Sequence, residues 1–441
     1  MRSDHQSSRK RHNIEVRNGI AVLLAATAAL AQQPPIFSVP PADAPQLAAR
    51  GKWAVGVRTI ELVHPAQPDI LRFDAATGTA PLSDRALTVE IWYPATIPAG
   101  KEERVIYESA MPGAPSPDTP AKFSIFGRAL RDAPAALGTD APFPLVVVSH
   151  GYPGSRTFLT WLTENLASKG YVVAAIDHTD SVFGAQRGFP STLLNRAADQ
   201  VFTIDSLTAR SRDQSDFLHG LVNPDRIAVV GYSMGGYGAL ATAGAGYSRT
   251  GAAARAVLGG YLNGWLADDP RFETQRRPAV KALVAIAPWG AQPPQNNWDA
   301  AGLAGIRVPS LFIVGDHDDV SGYEQGVRKA FEGAVNSERY LLVYENARHN
   351  VGGNPPPPEA MGKFATQAFF DEPVWRKDRI GAINQHFITA FLDLYVKDDI
   401  TRRKYLELPA QSADRPSWEG FQARWALGLQ WHHRPAALPA R

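Results

Sequence analysis

Ile227-Ala-Val-Val-Gly231-Tyr232-Ser233-Met234-Gly235-Gly236 is the stretch on which the fold turns. Its first half is a short apolar run without alternation, as expected of a strand buried on both faces of a parallel sheet. Its second half is G-x-S-x-G, running into a segment with helical character. A serine on a tight strand-to-helix turn holds its hydroxyl above the sheet, and the helix aims its first N–H groups and its dipole at developing negative charge. Glycines are needed at 231 and 235 because a Cβ there would collide with neighbouring backbone. A glycine-rich turn in any β-α unit could carry the same letters. The strand before it and the helix after it favour a nucleophilic Ser233.

Working outward, similar Val/Ile-rich runs occupy 145–149 (LVVVS), 172–176 (VVAAI), 282–286 (ALVAI), 310–314 (SLFIV) and 340–344 (YLLVY). Residues 53–63 and 86–93 alternate apolar and polar positions, as half-buried strands do. Phe158, Trp161, Leu162 and Leu166 recur at helical spacing, as do Phe387, Phe391, Leu394 and Tyr395. Strands alternating with helices predict an α/β fold, a mostly parallel doubly wound sheet with right-handed crossovers. Two stretches, 183–223 and 245–278, show no clear strand and follow strand C-terminal ends, where such folds keep their sites. They are expected to be helical insertions forming a cap or pocket wall. The run Pro355–Pro358 is expected to be a stiff loop.

A serine hydroxyl needs a general base, and the base needs an orienting carboxylate. In strand–turn–helix hydrolases the chain order is Ser, Asp/Glu, His. The strand at 310–314 ends in Gly315-Asp316-His317-Asp318-Asp319. Asp318 is the favoured acid, with Asp316 and Asp319 as rivals and a cation site as a further reading of the cluster. His349 lies in the loop after the next strand and is the favoured base. His386 sits inside a helix and reads as structural, and His317 as a loop surface position. Ser149-His150-Gly151-Tyr152 follows another buried strand. The Tyr152 backbone N–H would face the serine and pair with that of Met234 as an oxyanion hole. His150 precedes the serine in the chain and reads as a brace for that loop.

The 441 residues leave room for one large domain, and 44% hydrophobic content supports a sizeable core. There is no cysteine, which excludes disulfides, thiolate metal sites and a Cys nucleophile. A net charge of +2 argues against nucleic acid as a partner. Residues 1–31 have a basic start, an apolar run (GIAVLLAATAALA) and Ala29-Leu30-Ala31, the layout of a cleavable secretory signal. The run is too short to span a bilayer. Five basic and two acidic residues leave with it, so the net charge passes from +2 to −1. Residues 32–52 read as a linker, 53–400 as the catalytic domain and 401–441 as an extension packed on it. Within that extension, 418–433, with Trp425 and Trp431, is too aromatic to be solvated.

These segments resemble an α/β-hydrolase, and a serine one. The chain is similar to bacterial esterases grouped with platelet-activating-factor acetylhydrolase and the dienelactone hydrolases. The resemblance rests on Val55-Gly-Val-Arg58, Val89-Glu-Ile-Trp-Tyr-Pro94, Ser149-His-Gly151, Ala174-Ala-Ile-Asp-His178, Gly231-Tyr-Ser-Met-Gly235, Ala347-Arg-His-Asn350 and Gln385-His-Phe387. It implies a Ser233–His349–Asp318 triad. True dienelactone hydrolases use a cysteine nucleophile, so lactone chemistry is not implied. A second resemblance, to cutinase-like polyester hydrolases, lies in Tyr152, Met234 and Trp289. It implies an aromatic pair, Tyr152 and Trp289, flanking the serine. The expected protein is an exported carboxylesterase, periplasmic or secreted, acting on small esters without metal or organic cofactor. Alternatives are a polyester or phthalate-type ester hydrolase, a phospholipid short-acyl esterase, a peptidase of the same fold, and a non-catalytic binding protein.

Overall fold

The computed structural model describes residues 40–112, 122–138, 140–184, 186–410 and 418–437. The candidate signal segment and residues 32–39 lie outside them. In chain order the strands are β1 (Ala54–Pro68), β2 (Leu82–Ala95), β3 (Val105–Ala110), β4 (Lys122–Gly127), β5 (Leu130–Arg131) and β6 (Phe143–Ser149). They continue as β7 (Val172–Asp177), β8 (Val222–Tyr232), β9 (Val280–Ile286), β10 (Ser310–Gly315), β11 (Arg339–Tyr344) and β12 (Leu429–Arg434). The α-helices are α1 (Thr160–Ser168), α2 (Phe189–Arg212), α3 (Met234–Thr242), α4 (Ala252–Ala256), α5 (Ala300–Ala304), α6 (Lys329–Gly333), α7 (Phe364–Phe370) and α8 (Lys377–Val396).

Among the described residues, ten strands form one sheet in the order β12-β11-β10-β9-β8-β6-β7-β2-β1-β5. β6 to β11 run parallel, while β2, β1 and β12 join antiparallel at the flanks. The inner strands are apolar on both faces because helices cover both. One core lies under α2 and α3, built on Leu145, Val147, Val229 and Leu283. The other lies under α1 and α8, built on Val146, Val148, Val230 and Phe391.

The expected insertions take other roles. Most of 183–223 is α2, whose Leu193, Ala197, Val201 and Ile204 pack on the sheet. It is the crossover helix between β7 and β8, and its apolar stripe was masked by polar residues between. The stretch 245–278 puts Tyr247 against Tyr237 of α3, ring centroids 5.0 Å apart, and so buttresses the helix behind Ser233. The wall over the strand ends comes instead from the segment between β11 and α8, which contains α7.

Two strand pairings were not expected from the sequence, and the segments at either side of the domain are docked on it. β3 and β4 pair as a separate hairpin. β12 extends the main sheet beside β11, so residues 429–434 are built into the fold. Trp418 and Trp431 are buried, Trp431 stacking on Phe387 at 4.7 Å, whereas Trp425 is half exposed beneath Arg379. Residues 40–49 are docked as well: the Leu47 N–H donates to His386 Nδ1, and Lys169 donates to the Leu47 carbonyl.

Candidate active site

β8 ends at Tyr232, and Ser233 turns the chain into α3 with φ 53° and ψ −115°. This conformation is strained for an L-residue and persists only where the surroundings over-determine it. They do so here. The Ser233 N–H donates to the Ile286 carbonyl, and the Ser233 carbonyl accepts from the Tyr237 and Trp289 N–H groups. A Cβ on Gly231 would lie 2.1 Å from the Gly235 carbonyl oxygen, and one on Gly235 2.0 Å from that of Ser149. Both positions therefore demand glycine.

The loop after β11 brings His349 over this turn. His349 Nε2 lies 2.9 Å from Ser233 Oγ. Its Nδ1 lies 3.0 and 2.9 Å from the two oxygens of Asp318, which follows β10. Asp318 Oδ1 also accepts the N–H groups of Val320 and Ser321. Burial acts to raise the Asp318 carboxyl. The charge and hydrogen bond of His349, with the two backbone N–H groups, outweigh it and hold the carboxyl below its usual value. Asp318 is therefore ionised at neutral pH. A charge beside Nδ1 fixes the tautomer that leaves Nε2 free to take a proton from the serine.

The neighbouring acids point elsewhere. Asp316 accepts from the Asn346 N–H and pairs with exposed His317. Asp319 pairs with Arg348 at the mouth of the site. Among the described residues, no three His, Asp or Glu side chains gather as a metal-binding group.

Gly151 passes so close that a Cβ would meet Ser233 Cβ at 3.3 Å. Tyr152 follows it, and Met234 opens α3. Among the described residues neither backbone N–H has a protein acceptor, as suits a pair of oxyanion donors. A cavity of about 240 Å³ opens over Ser233 and His349, walled by Tyr152, Phe158, Tyr232, Val320 and Phe369.

Trp289 does not stand opposite Tyr152 in this cavity. Phe189, in the first turn of α2, packs against both. Its ring meets Tyr152 edge-on at 5.1 Å and Trp289 edge-on at 5.5 Å. Trp289 also packs against Tyr237, ring centroids 6.0 Å apart, and is not among the residues lining this cavity. Tyr232, which the sequence does not single out, supports the His349 ring at 5.3 Å and donates to its carbonyl at 3.3 Å. Its position inside G-x-S-x-G, directly before the serine, was the available signal. Phe369 and Arg348 were missed too, the first for lack of any local pattern.

A serine after β8, an acid after β10 and a histidine after β11, on a parallel sheet, make the α/β-hydrolase fold. The comparisons with known proteins add to this. Residues 133–257 match a family model described as PETase, PET hydrolase-like. The chain is 28% identical over 221 residues to cutinase 2 of Thermobifida cellulosilytica, covering 50% of this chain and 64% of that protein. It is 23% identical over 212 residues to the bis(hydroxyethyl) terephthalate hydrolase of Streptomyces coelicolor, covering 48% of this chain and 52% of that protein. The match thus spans between about half and two thirds of these relatives. A solved ferulic acid esterase from Streptomyces cinnamoneus shares the fold, with TM-score 0.50 and 22% identity, covering 85% of this chain and 97% of that one.

Proposed function

We propose that this protein is a serine carboxylic-ester hydrolase. The observation that carries the reading is the Ser233–His349–Asp318 series, at 2.9 Å and 2.9–3.0 Å, on the floor of an open cavity. His349 Nε2 takes the Ser233 proton as Oγ attacks the ester carbonyl carbon. The tetrahedral oxyanion is held by the Tyr152 and Met234 N–H groups, a contribution of about 2.7–4 kcal/mol per donor where one has been removed in other enzymes. The intermediate collapses, the C–O bond to the alcohol breaks, and His349 returns the proton to the leaving oxygen. Water, deprotonated by the same nitrogen, then cleaves the acyl-enzyme to acid and free serine. The scheme requires no metal or organic cofactor.

The relatives' printed names favour an aromatic or polyester-type acyl group within this class, and the aromatic walls Tyr152, Phe158 and Phe369 suit flat acyl groups. The cavity volume suits one small ester unit. The N-terminal layout supports export to the periplasm or medium, and no described helix is long and apolar enough to cross a membrane. The test is hydrolysis of p-nitrophenyl esters of graded chain length by wild type and Ser233→Ala. The variant should fold normally and lose at least about 10³-fold in kcat, as expected when a triad nucleophile is removed. Equal rates on any ester would sink the mechanism.

A further inference from the structure

Behind the oxyanion loop lies a second Ser-His-Asp series, sealed from solvent. The Ser149 hydroxyl is 2.6 Å from His178 Nε2, and His178 Nδ1 is 2.8 Å from Asp199 Oδ2. All three side chains are fully buried, so the series cannot meet a substrate. Asp199 is held by two Arg85 hydrogen bonds of 2.7 Å, and Arg85 also reaches Asp180 at 3.3 Å. Arg196, one turn before Asp199 on α2, donates to the His150 carbonyl at 2.6 Å and to Ser181 Oγ at 2.5 Å. Burying ions is costly unless each is paired and bonded. A cluster of four beside one loop calls for a role.

The bonding directions supply one. Asp199 can only accept, so His178 carries its proton on Nδ1 and its Nε2 accepts from Ser149. The His178 N–H approaches His150 Nε2 at 3.4 Å, and His150 Nδ1 lies 2.7 Å from the Gly151 carbonyl oxygen. A carbonyl can only accept, so His150 Nδ1 donates. Burial, which is the largest effect on both rings, pushes His150 and His178 well below the ordinary imidazole value, and both are neutral. The Gly151 carbonyl and the Tyr152 N–H belong to one planar peptide and point in opposite directions. Fixing the carbonyl against His150 therefore fixes the direction of the Tyr152 N–H. The other face of Ser149 touches the nucleophile turn, where its carbonyl excludes any Cβ at Gly235.

We propose that Asp199, His178 and Arg196 are positioning residues for the oxyanion hole. Through Ser149 and His150 they hold the loop so that the Tyr152 N–H points at the atom that becomes negative. The inference rests on the serine-esterase reading above. It is tested with Asp199→Asn, His178→Gln and Arg196→Lys in the full chain. Ser149→Ala, which deletes one hydroxyl and breaks no ion pair, covers the case in which an ionic variant does not fold. Steady-state hydrolysis of a p-nitrophenyl ester gives kcat and KM. Inhibition by an alkyl boronic acid, whose adduct on serine places an oxygen in the hole, reports the hole itself.

For the folded ionic variants kcat should fall by about 10- to 100-fold, in the range of a misplaced or lost catalytic donor. KM should stay within about twofold, since the ground state makes little use of the hole. Boronate affinity should fall in step with kcat, and Ser149→Ala should move both in the same direction by a smaller factor. Wild-type kcat and boronate affinity in the folded variants would overturn the proposal, as would a fall in kcat with boronate affinity intact. An active wild type with unaffected variants removes the positioning role alone. An inactive wild type removes the esterase reading with it.

Discussion

The carboxylates after Gly315 show how much one residue of register decides. Asp316, Asp318 and Asp319 share a short turn, yet Asp318 alone faces His349, because Oδ1 is tied down by the N–H groups of Val320 and Ser321. Asp318→Asn should cut kcat by roughly 10⁴, since an amide favours the wrong imidazole tautomer. Asp316→Asn and Asp319→Asn should each cost less than about tenfold, as expected of groups outside the proton path. Steady-state kinetics on the three variants checks this, and a crippled Asp319→Asn would place the acid one residue later. The meeting of Ser233, Asp318 and His349 could be expected because each follows a buried strand at the end where such folds keep their sites. Trp289 was legible in position but not in surroundings. The ring packed edge-on against it, Phe189, comes from a helix about a hundred residues earlier, and no local pattern records such a contact.

At the scale of elements, the parallel strands were readable because burial on both faces leaves unbroken Val/Ile runs. The β3–β4 hairpin and β12 were not. β3 and β4 alternate only over six residues each, and β12 is a polar flanking strand, LQWHHR. The cavity wall was hidden for a similar reason: α7 is seven residues long and follows a proline run, so it offers no helical period. The first turn of α2 has a consequence for specificity. Phe189→Ala should open a slot between Tyr152 and Trp289. The ratio of kcat/KM for benzoate over acetate esters should then rise by about two- to tenfold, the worth of one aromatic pair. An unchanged ratio would mean that the Phe189 ring lies clear of the acyl group.

Across the whole molecule, the two ends of the described chain meet on α8. His386 Nδ1 accepts the Leu47 N–H, and the ring packs edge-on against Tyr405 and Phe421. Burial, with Lys169 nearby, pushes His386 down to about 3 from its ordinary 6.5. The unfolded chain therefore binds a proton below about pH 6.5 that the folded chain refuses until about pH 3. Stability should fall as pH drops through that window, by up to about 1.4 kcal/mol per pH unit for this one group. His386→Leu loses an acceptor and should be less stable at pH 7. Its disadvantage should shrink by about 1–2 kcal/mol at pH 5, seen by urea unfolding at both pH values. A constant difference would show that His386 protonates equally in both states. The sequence marked His386 as structural, but its partners lie at opposite ends of the chain and only the fold joins them.

Catalysis by this route requires Ser233 to be an activated nucleophile. A fluorophosphonate reacts only with such a serine, because attack on phosphorus needs the base and the hole together. After incubation of the full-length protein, peptide mass spectrometry should find one phosphonyl adduct, on Ser233, formed in wild type and absent in Ser233→Ala. An unlabelled wild type, or a label on another serine, would show that Ser233 is not the nucleophile.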